Sequence, residues 1–141
     1  MKDGWLGRIT DSEDDTINMG VELSAYIEKG DIIALHGDLG SGKTTLTKGI
    51  MKGLEYTSPV TSPTYTLINE YNSLKNVIHI DCYKESDLGI WISLGLNDYI
   101  NNRDNIIIIE WPEILVGMLP DDTINLKLIH ISQNKRNISL S

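Results

Sequence analysis

The chain has 141 residues, 40% of them hydrophobic, and a formal net charge of −8 at pH 7. This length predicts one domain over residues 1–141, and the apolar fraction is ordinary for a globular protein. The 20 acidic residues outnumber the 12 lysines and arginines, which disfavours a free-standing nucleic-acid binder because phosphates attract basic side chains.

The sequence carries no sign of export or of a membrane location. No apolar run reaches the length of a membrane span, and the polar residues 1–15 lack the apolar stretch of a signal peptide. The single cysteine, Cys82, cannot form an internal disulfide. These features predict a cytoplasmic protein with no membrane partner.

The first predicted elements are a helix and a strand. Ser12 is placed to cap a helix whose first turn contains three acidic residues, 13–15, which suit the positive end of the helix dipole. Apolar residues recur at helical spacing as far as Ile27, and Gly30 is the predicted stop. The short, apolar, partly β-branched segment 31–36 then predicts a buried strand.

Helices and strands alternate along the rest of the chain. The predicted elements are a helix at 43–52, a hairpin of strands at 66–71 and 76–81 with a turn at 72–75, a helix at 87–100, and strands at 106–109, 123–131 and 136–140. The four consecutive isoleucines at 106–109 are typical of a central parallel strand. The alternation predicts a three-layer α/β/α sandwich of P-loop NTPase type, with a mostly parallel sheet and antiparallel additions.

A glycine-rich turn follows the first predicted strand. Residues 37–44, Gly-Asp-Leu-Gly-Ser-Gly-Lys-Thr, fit the pattern G-x-x-x-x-G-K-[ST] at every fixed position. The glycines let backbone amides approach a phosphate, and the next helix directs its free N–H groups at the anion. Lys43 is predicted to contact the β- and γ-phosphate oxygens, and the Thr44 hydroxyl to bind Mg²⁺. The segment predicts a site for a purine nucleotide, above all ATP, with Mg²⁺.

Two acidic residues, Asp81 and Glu110, end buried strands downstream of this loop. Open α/β sheets bind ligands at the carboxyl ends of their strands, and a P-loop needs a carboxylate for Mg²⁺ or for the attacking water. The alternative is that each acid caps a helix or pairs with a lysine. We expect Glu110 near the metal and Asp81 to orient water or to connect to a switch, although these roles could be exchanged.

The loop between the second predicted helix and the next strand is polar and held by prolines. Its hydroxyl residues Thr61, Ser62 and Thr64 could sense a γ-phosphate, since the loop occupies the position of switch I in small GTPases. An ordinary connecting loop is equally compatible with these residues.

The sequence also predicts roles for three histidines and one tryptophan. His36, His79 and His130 are scattered along strands without metal-ligand spacing, which predicts satisfied structural residues. Trp111, directly after Glu110, is predicted either to pack in the core or to cover the site.

Four segments of the chain are distinctive as a set. They are Gly-Asp-Leu-Gly-Ser-Gly-Lys-Thr-Thr at 37–45, Ser-Pro-Thr-Tyr-Thr-Leu at 62–67, His-Ile-Asp-Cys-Tyr at 79–83 and Ile-Glu-Trp-Pro-Glu at 109–113. In this order and spacing, over about residues 10–140, the chain resembles the TsaE family, also called YjeE, bacterial ATPases that support threonylcarbamoyladenosine formation on tRNA. One departure is Lys84, where the family usually has arginine; lysine keeps the charge but loses the planar fork.

The resemblance implies particular ligands and partners. It implies binding of ATP or ADP with Mg²⁺, slow ATP hydrolysis, and work with TsaD and TsaB, which transfer the threonylcarbamoyl group to the adenosine next to the anticodon. The family is thought to reset that complex between turnovers, so tRNA is a partner only indirectly, through the complex.

The resemblance also implies roles for individual residues. Nucleotide contacts are implied for Thr10 or Asp11 before the first helix, for Thr61 to Tyr65 (including Thr64) in the switch-like loop, and for Asp38, Leu39, Gly40, Ser41, Gly42, Lys43, Thr44 and Thr45 in the phosphate loop. Asp81 is implied as a catalytic acid. Together with Lys43 and Glu110 it forms the predicted catalytic set. Thr44 and Glu110 are implied at the metal.

Three other functions are compatible with a phosphate loop. A small nucleotide kinase normally needs an arginine-rich lid, and only three arginines are present, at 8, 103 and 136. A GTPase-like switch normally reads guanine with Asn-Lys-x-Asp, which the segment 134–137, Asn-Lys-Arg-Asn, resembles only superficially. A binding module without catalysis is disfavoured by the intact Lys43 and Thr44. No arginine is obviously placed as a finger, which predicts slow turnover by the isolated chain.

Overall fold

The computed structural model describes residues 4–5, 7–64, 66–72 and 75–141. In chain order the elements are β1 (Arg8–Thr10), α1 (Glu13–Ser24), β2 (Ile32–His36), α2 (Lys43–Gly53), β3 (Ile68–Tyr71), β4 (Asn76–Asp81), α3 (Leu88–Ser93), α4 (Leu96–Asn101), β5 (Asn105–Glu110), a 3₁₀ helix (Pro112–Met118), β6 (Ile124–His130) and β7 (Arg136–Leu140).

The strands form one mixed sheet in the order β1-β7-β6-β2-β5-β4-β3. The central strands β6, β2, β5 and β4 are parallel, whereas β3, β7 and β1 are antiparallel additions, as predicted. The predicted hairpin of β3 and β4 is confirmed. Register places Asp81 of β4 directly beside Glu110 of β5, and Leu35 of β2 on the other side of Glu110. The carboxyl ends of these three strands therefore meet at one edge of the sheet.

Helices pack on both faces of the sheet, which gives the predicted three layers. Successive residues of a strand point to opposite faces. Ile106 and Ile108 of β5 belong to the core formed with α1 and α2, while Ile107 and Ile109 belong to the core formed with α3, α4 and the 3₁₀ helix. Burial on both faces explains the unbroken isoleucine run of this strand. Among the residues described, every helix is too short or too polar to traverse a bilayer.

The first helix begins as predicted but ends early. The Ser12 side chain accepts a backbone hydrogen bond at 3.0 Å and caps α1. The helix stops at Ser24 rather than near Gly30, because the following amides bond carbonyls three residues back, as Tyr26 does to Leu23. Gly30, with φ of 89°, ends the turns that follow.

The other differences concern a split helix and two short elements. The predicted helix at 87–100 is two helices, because Gly95 between them adopts the left-handed conformation with φ of 88°. Strand β1, which was not predicted, has three residues and pairs with β7 at the far end of the chain. The 3₁₀ helix was also not predicted; it follows Trp111, with φ of 56°, and starts at Pro112.

Candidate functional site

The phosphate-binding motif forms a tight turn between β2 and α2. A Cβ added at Gly37 would come within 2.5 Å of Ser41 Oγ and 2.6 Å of the Leu128 carbonyl oxygen, so only glycine fits there. Gly42 precedes α2 with φ of 101° and supplies no side-chain cap. The first amides of α2 therefore keep their N–H groups available for an anion, which the helix dipole also favours.

Lys43, the first residue of α2, folds back over this turn. It is 5% exposed, and its ammonium donates hydrogen bonds to the Gly37 carbonyl oxygen at 2.6 Å and the Asp38 carbonyl oxygen at 3.0 Å. A longer bond of 3.4 Å reaches Ser41 Oγ. The cation is thus held at the centre of the loop by the loop's own backbone.

The Trp111 ring covers the same ammonium and packs beside Tyr83. Lys43 Nζ lies 4.0 Å from the centre of the Trp111 ring, within cation–π distance, and the ring centres of Trp111 and Tyr83 are 4.9 Å apart. Burial lowers the pKa of the Lys43 ammonium from its usual value, while the charges of Glu110 and Asp81 oppose that shift. Trp111 covers the Lys43 ammonium and also packs against the core formed with α3, α4 and the 3₁₀ helix.

Thr44 and Glu110, which are 66 residues apart in sequence, are in direct contact. The Thr44 hydroxyl donates to Glu110 Oε1 at 2.9 Å, while Glu110 Oε2 lies 2.6 Å from His79 Nε2. Glu110 is 2% exposed, so both oxygens of a buried carboxylate are engaged. The strand-end position of Glu110 and the helix-start position of Thr44 bring two oxygen donors to one point.

Asp81 lies beside Glu110 but faces the other loop. Its Oδ2 accepts a hydrogen bond from the Thr64 hydroxyl at 2.8 Å, and its Oδ1 accepts one from the Tyr83 backbone N–H at 2.8 Å. Thr64 in turn shares a hydrogen bond of 2.8 Å with Ser62 Oγ. Asp81 is 3% exposed, and these contacts fix the direction of its carboxylate.

These groups surround one open cleft of about 410 Å³. Its walls include residues 39–45, Thr64, Asp81, Glu110 and Trp111. Most predicted site residues are therefore assembled in one place by the ends of three neighbouring strands and the start of α2.

Three predicted nucleotide contacts lie elsewhere. Thr10 is fully buried, and its hydroxyl shares a hydrogen bond of 2.8 Å with Thr16 beneath a smaller adjoining cleft that Thr16 lines. Thr61 is exposed and lines a different cleft, on the side of β3. Asp38 lines a further cleft, although its carbonyl oxygen accepts a hydrogen bond from Lys43. Tyr65 lies outside the described residues.

His79 corrects one sequence interpretation. The prediction of satisfied structural histidines is wrong for His79, because its buried Nδ1 has no hydrogen-bond partner while its Nε2 contacts Glu110. His36 instead shares a bond of 2.8 Å with Asn125 Oδ1. The available signal for His79 was its position two residues before Asp81, which puts both side chains on one face of β4.

Arg136 is a cleft residue that the sequence interpretation did not find. Its Nε donates to the Gly40 carbonyl oxygen at 3.1 Å, and its Nη1 donates to the carbonyl oxygens of Ser132, Gln133 and Lys135. It also lines the cleft and the smaller adjoining one. No local pattern marks it, because its neighbours are brought together by the tertiary fold.

Comparison with known proteins shows the family to which the chain belongs. The family model described as "Threonylcarbamoyl adenosine biosynthesis protein TsaE" matches residues 10–138. The chain belongs to the TsaE family. It is 43% identical to a protein of Haemophilus influenzae named tRNA threonylcarbamoyladenosine biosynthesis protein TsaE, over 84% of this chain and 74% of that protein. A protein of the same name from Nostoc sp. is 37% identical, over 92% of this chain and 81% of its own length.

A solved structure extends the TsaE likeness to three dimensions. The crystal structure of YdiB from Bacillus subtilis superimposes with a TM-score of 0.80 at 28% identity, covering 97% of this chain and 86% of YdiB. The sheet and its flanking helices therefore share the fold of YdiB over almost the whole chain.

Proposed function

We propose that this chain is a P-loop ATPase, dependent on Mg²⁺ and slow by itself, that supports threonylcarbamoyladenosine formation on tRNA in the cytoplasm. One observation carries the proposal: a glycine-rich anion turn and the Thr44–Glu110 pair share one cleft. Membership of the TsaE family, whose relatives are named for this biosynthesis, supplies the biological context.

The residues of the phosphate loop fit a nucleotide. Gly40 and Gly42 line the cleft in left-handed conformations, of the kind that let successive backbone amides face an anion, and Lys43 lies within the same turn. On ATP or ADP binding, we expect the Lys43 ammonium to exchange its carbonyl partners for phosphate oxygens. A hydrogen bond from a charged donor to an anion is stronger than one to a neutral carbonyl, which drives that exchange.

The same cleft fits Mg²⁺. Mg²⁺ prefers hard oxygen ligands and is usually held by one or two protein groups together with phosphates. Thr44 Oγ1 and Glu110 Oε1, 2.9 Å apart, are such oxygens and would be the protein ligands. When bound, Mg²⁺ would neutralise charge on the phosphate oxygens.

Hydrolysis requires an oriented water molecule. In the reaction, a bond forms between the water oxygen and the γ-phosphorus, and the bond from that phosphorus to the bridging oxygen of the β-phosphate breaks. Asp81, held by Thr64 and the Tyr83 amide, is the carboxylate we assign to orient this water. Arg136 is occupied by backbone carbonyls, so slow turnover is expected until a partner contributes.

The partners we propose are TsaD and TsaB, with tRNA contacted only through that complex. A pull-down of TsaD and TsaB from the same organism, with and without ATP, tests this role; we expect a nucleotide-dependent complex. Capture that is absent under both conditions would contradict it.

Nucleotide binding is tested separately by calorimetry of the isolated chain with ATP, ADP or GTP in the presence of Mg²⁺. We expect heat of binding with ATP and with ADP. In a separate phosphate-release assay with ATP, we expect phosphate to appear in solution at a low rate. Absence of heat with both adenine nucleotides would contradict the site itself. Transfer of phosphate to a nucleoside monophosphate would indicate a kinase, and preference for GTP would indicate a GTPase-like switch.

A further inference from the structure

Among the residues that the structure describes, the one side-chain hydrogen-bond partner of His79 is Glu110. The imidazole is fully buried on β4, which pairs directly with β5, the strand that contains Glu110. Its Nε2 lies 2.6 Å from Glu110 Oε2, and its Nδ1 makes no hydrogen bond within the described part of the chain. A core position occupied purely for packing would favour an aliphatic side chain, because an unpaired buried polar atom destabilises the folded state.

The contact determines which nitrogen bears a proton. A carboxylate only accepts hydrogen bonds, so Nε2 must be the donor in a contact of this length. The geometry thus places a proton on Nε2. The ring directs this N–H at one carboxylate oxygen.

We propose that His79 is a positioning residue that holds Oε2 of Glu110 so that Oε1 stays directed at Thr44. This inference rests on the proposed function, in which Thr44 and Glu110 serve Mg²⁺. Groups that hydrogen-bond a ligand carboxylate orient it, and their loss typically lowers metal affinity about 10–100-fold.

The two hydrogen bonds of Glu110 serve different purposes. Thr44 Oγ1 holds Oε1 at 2.9 Å, but the same hydroxyl is assigned to the cation. His79 is fully buried, is not among the residues that line the cleft, and is not assigned to the cation. It therefore provides the hold on Glu110 that does not change when Thr44 acquires another ligand.

The test compares His79→Leu and His79→Gln with the unaltered chain. For each, ATP affinity is measured by calorimetry in EDTA and across a series of Mg²⁺ concentrations. We expect His79→Leu to need about 10–100-fold more Mg²⁺ while its affinity in EDTA changes less than about twofold. We expect His79→Gln to recover part of the response, because its amide N–H can replace the Nε2 donor.

Two further measurements separate positioning from damage to the fold. Added to Glu110→Gln, His79→Leu should have little extra effect on the Mg²⁺ response, since residues that act through one group are not additive. His36→Leu is the matched control, because His36 Nε2 also bonds a side-chain oxygen but does not contact Glu110. We expect it to keep the ratio of the affinities in Mg²⁺ and in EDTA.

Each outcome is decisive. If the unaltered chain binds ATP equally with and without Mg²⁺, the proposed metal role fails first. If that chain responds to Mg²⁺ and a folded His79→Leu variant responds equally, the positioning inference alone is wrong. Should His79→Leu fail to fold by thermal melting, ¹⁵N-histidine spectra of the unaltered chain decide: a proton on Nε2 of His79 supports the inference, and a proton on Nδ1 instead overturns it.

Discussion

The phosphate loop at 37–45 and the loop at 57–66 meet in one cleft but are held differently. In the first, Ser41 and Lys43 are almost wholly buried, and Lys43 is bonded to the loop's own carbonyls. In the described part of the second loop, Thr61 and Ser62 are exposed, and Thr64 bonds Asp81 in the cleft. The phosphate loop is thus held by its own backbone, whereas the second loop contacts the site through a side-chain hydrogen bond.

The largest expected effect comes from Lys43→Ala in the preformed loop. The substitution removes the ammonium without opening the apolar core, so nucleotide affinity should fall about 100-fold or more, since charged hydrogen bonds contribute about 1.5–3 kcal/mol each. Calorimetry with ADP and thermal melting without nucleotide measure binding and folding separately. Unchanged affinity in the folded variant would remove Lys43 from the phosphate site.

The second-largest effect is expected at Glu110, where the phosphate loop meets β5. Glu110→Gln keeps the shape of the side chain but removes its charge, so Mg²⁺-dependent hydrolysis should fall about 100-fold, comparable to the loss of one preorganised electrostatic contact. Affinity in EDTA should stay within about twofold, because no phosphate contact is lost. Hydrolysis at the original rate would exclude Glu110 from the metal role.

A smaller effect is expected in the second loop. Thr64→Val removes the hydroxyl that bonds Asp81 but preserves side-chain shape, so hydrolysis should fall about tenfold while affinity changes little. This is less than the roughly 100-fold or greater contribution of a group that transfers a proton directly, because Asp81 itself is kept. Thr66→Val is the control, because its hydroxyl bonds Asn69 rather than Asp81. A larger loss of affinity than of hydrolysis would show that the two loops are not separable as described.

The smallest effect is expected at Cys82, directly after Asp81 but in the core on the other face of the sheet. Cys82→Ala should alter nucleotide affinity by less than about twofold, at a stability cost of about 1 kcal/mol. Burial raises the pKa of the Cys82 thiol from 9.0 to about 12. At pH 8 the thiolate fraction is then about 1000-fold lower than for the unshifted thiol, so thiol reagents should react only after unfolding. Rapid labelling of the native chain at pH 8 would contradict this burial.

The fold was predictable where burial is continuous. The isoleucine run and the strand that ends at Asp81 are apolar because both of their faces are covered, so their sequences indicate central strands without any alignment. Strand β1 offers no such pattern, since its three residues are extended only because β7 pairs with them. The split between α3 and α4 depends on the left-handed Gly95, a conformation that glycine permits but does not require.

The site was predictable to the extent that its chemistry is local or lies at strand ends. The phosphate loop is a contiguous motif, and the expectation for strand-end acids selected both Asp81 and Glu110. His79 and Arg136 were missed because their partners, Glu110 and the Gly40 carbonyl, are 31 and 96 residues away. Such contacts are set by register and tertiary packing, which a single sequence does not encode as a short pattern.

The hydrogen bond from Arg136 to the Gly40 carbonyl oxygen has a consequence for the synthesis of this chain on the ribosome. Chains are made from the N-terminus, so the phosphate loop leaves the ribosome long before the strand that contains Arg136. The contact from Arg136 to the loop can therefore form only after β6 and β7 have been synthesised and paired. We expect nascent chains that stop short of β7 to bind nucleotide poorly even though the whole glycine motif is present, so that nucleotide binding depends on β7.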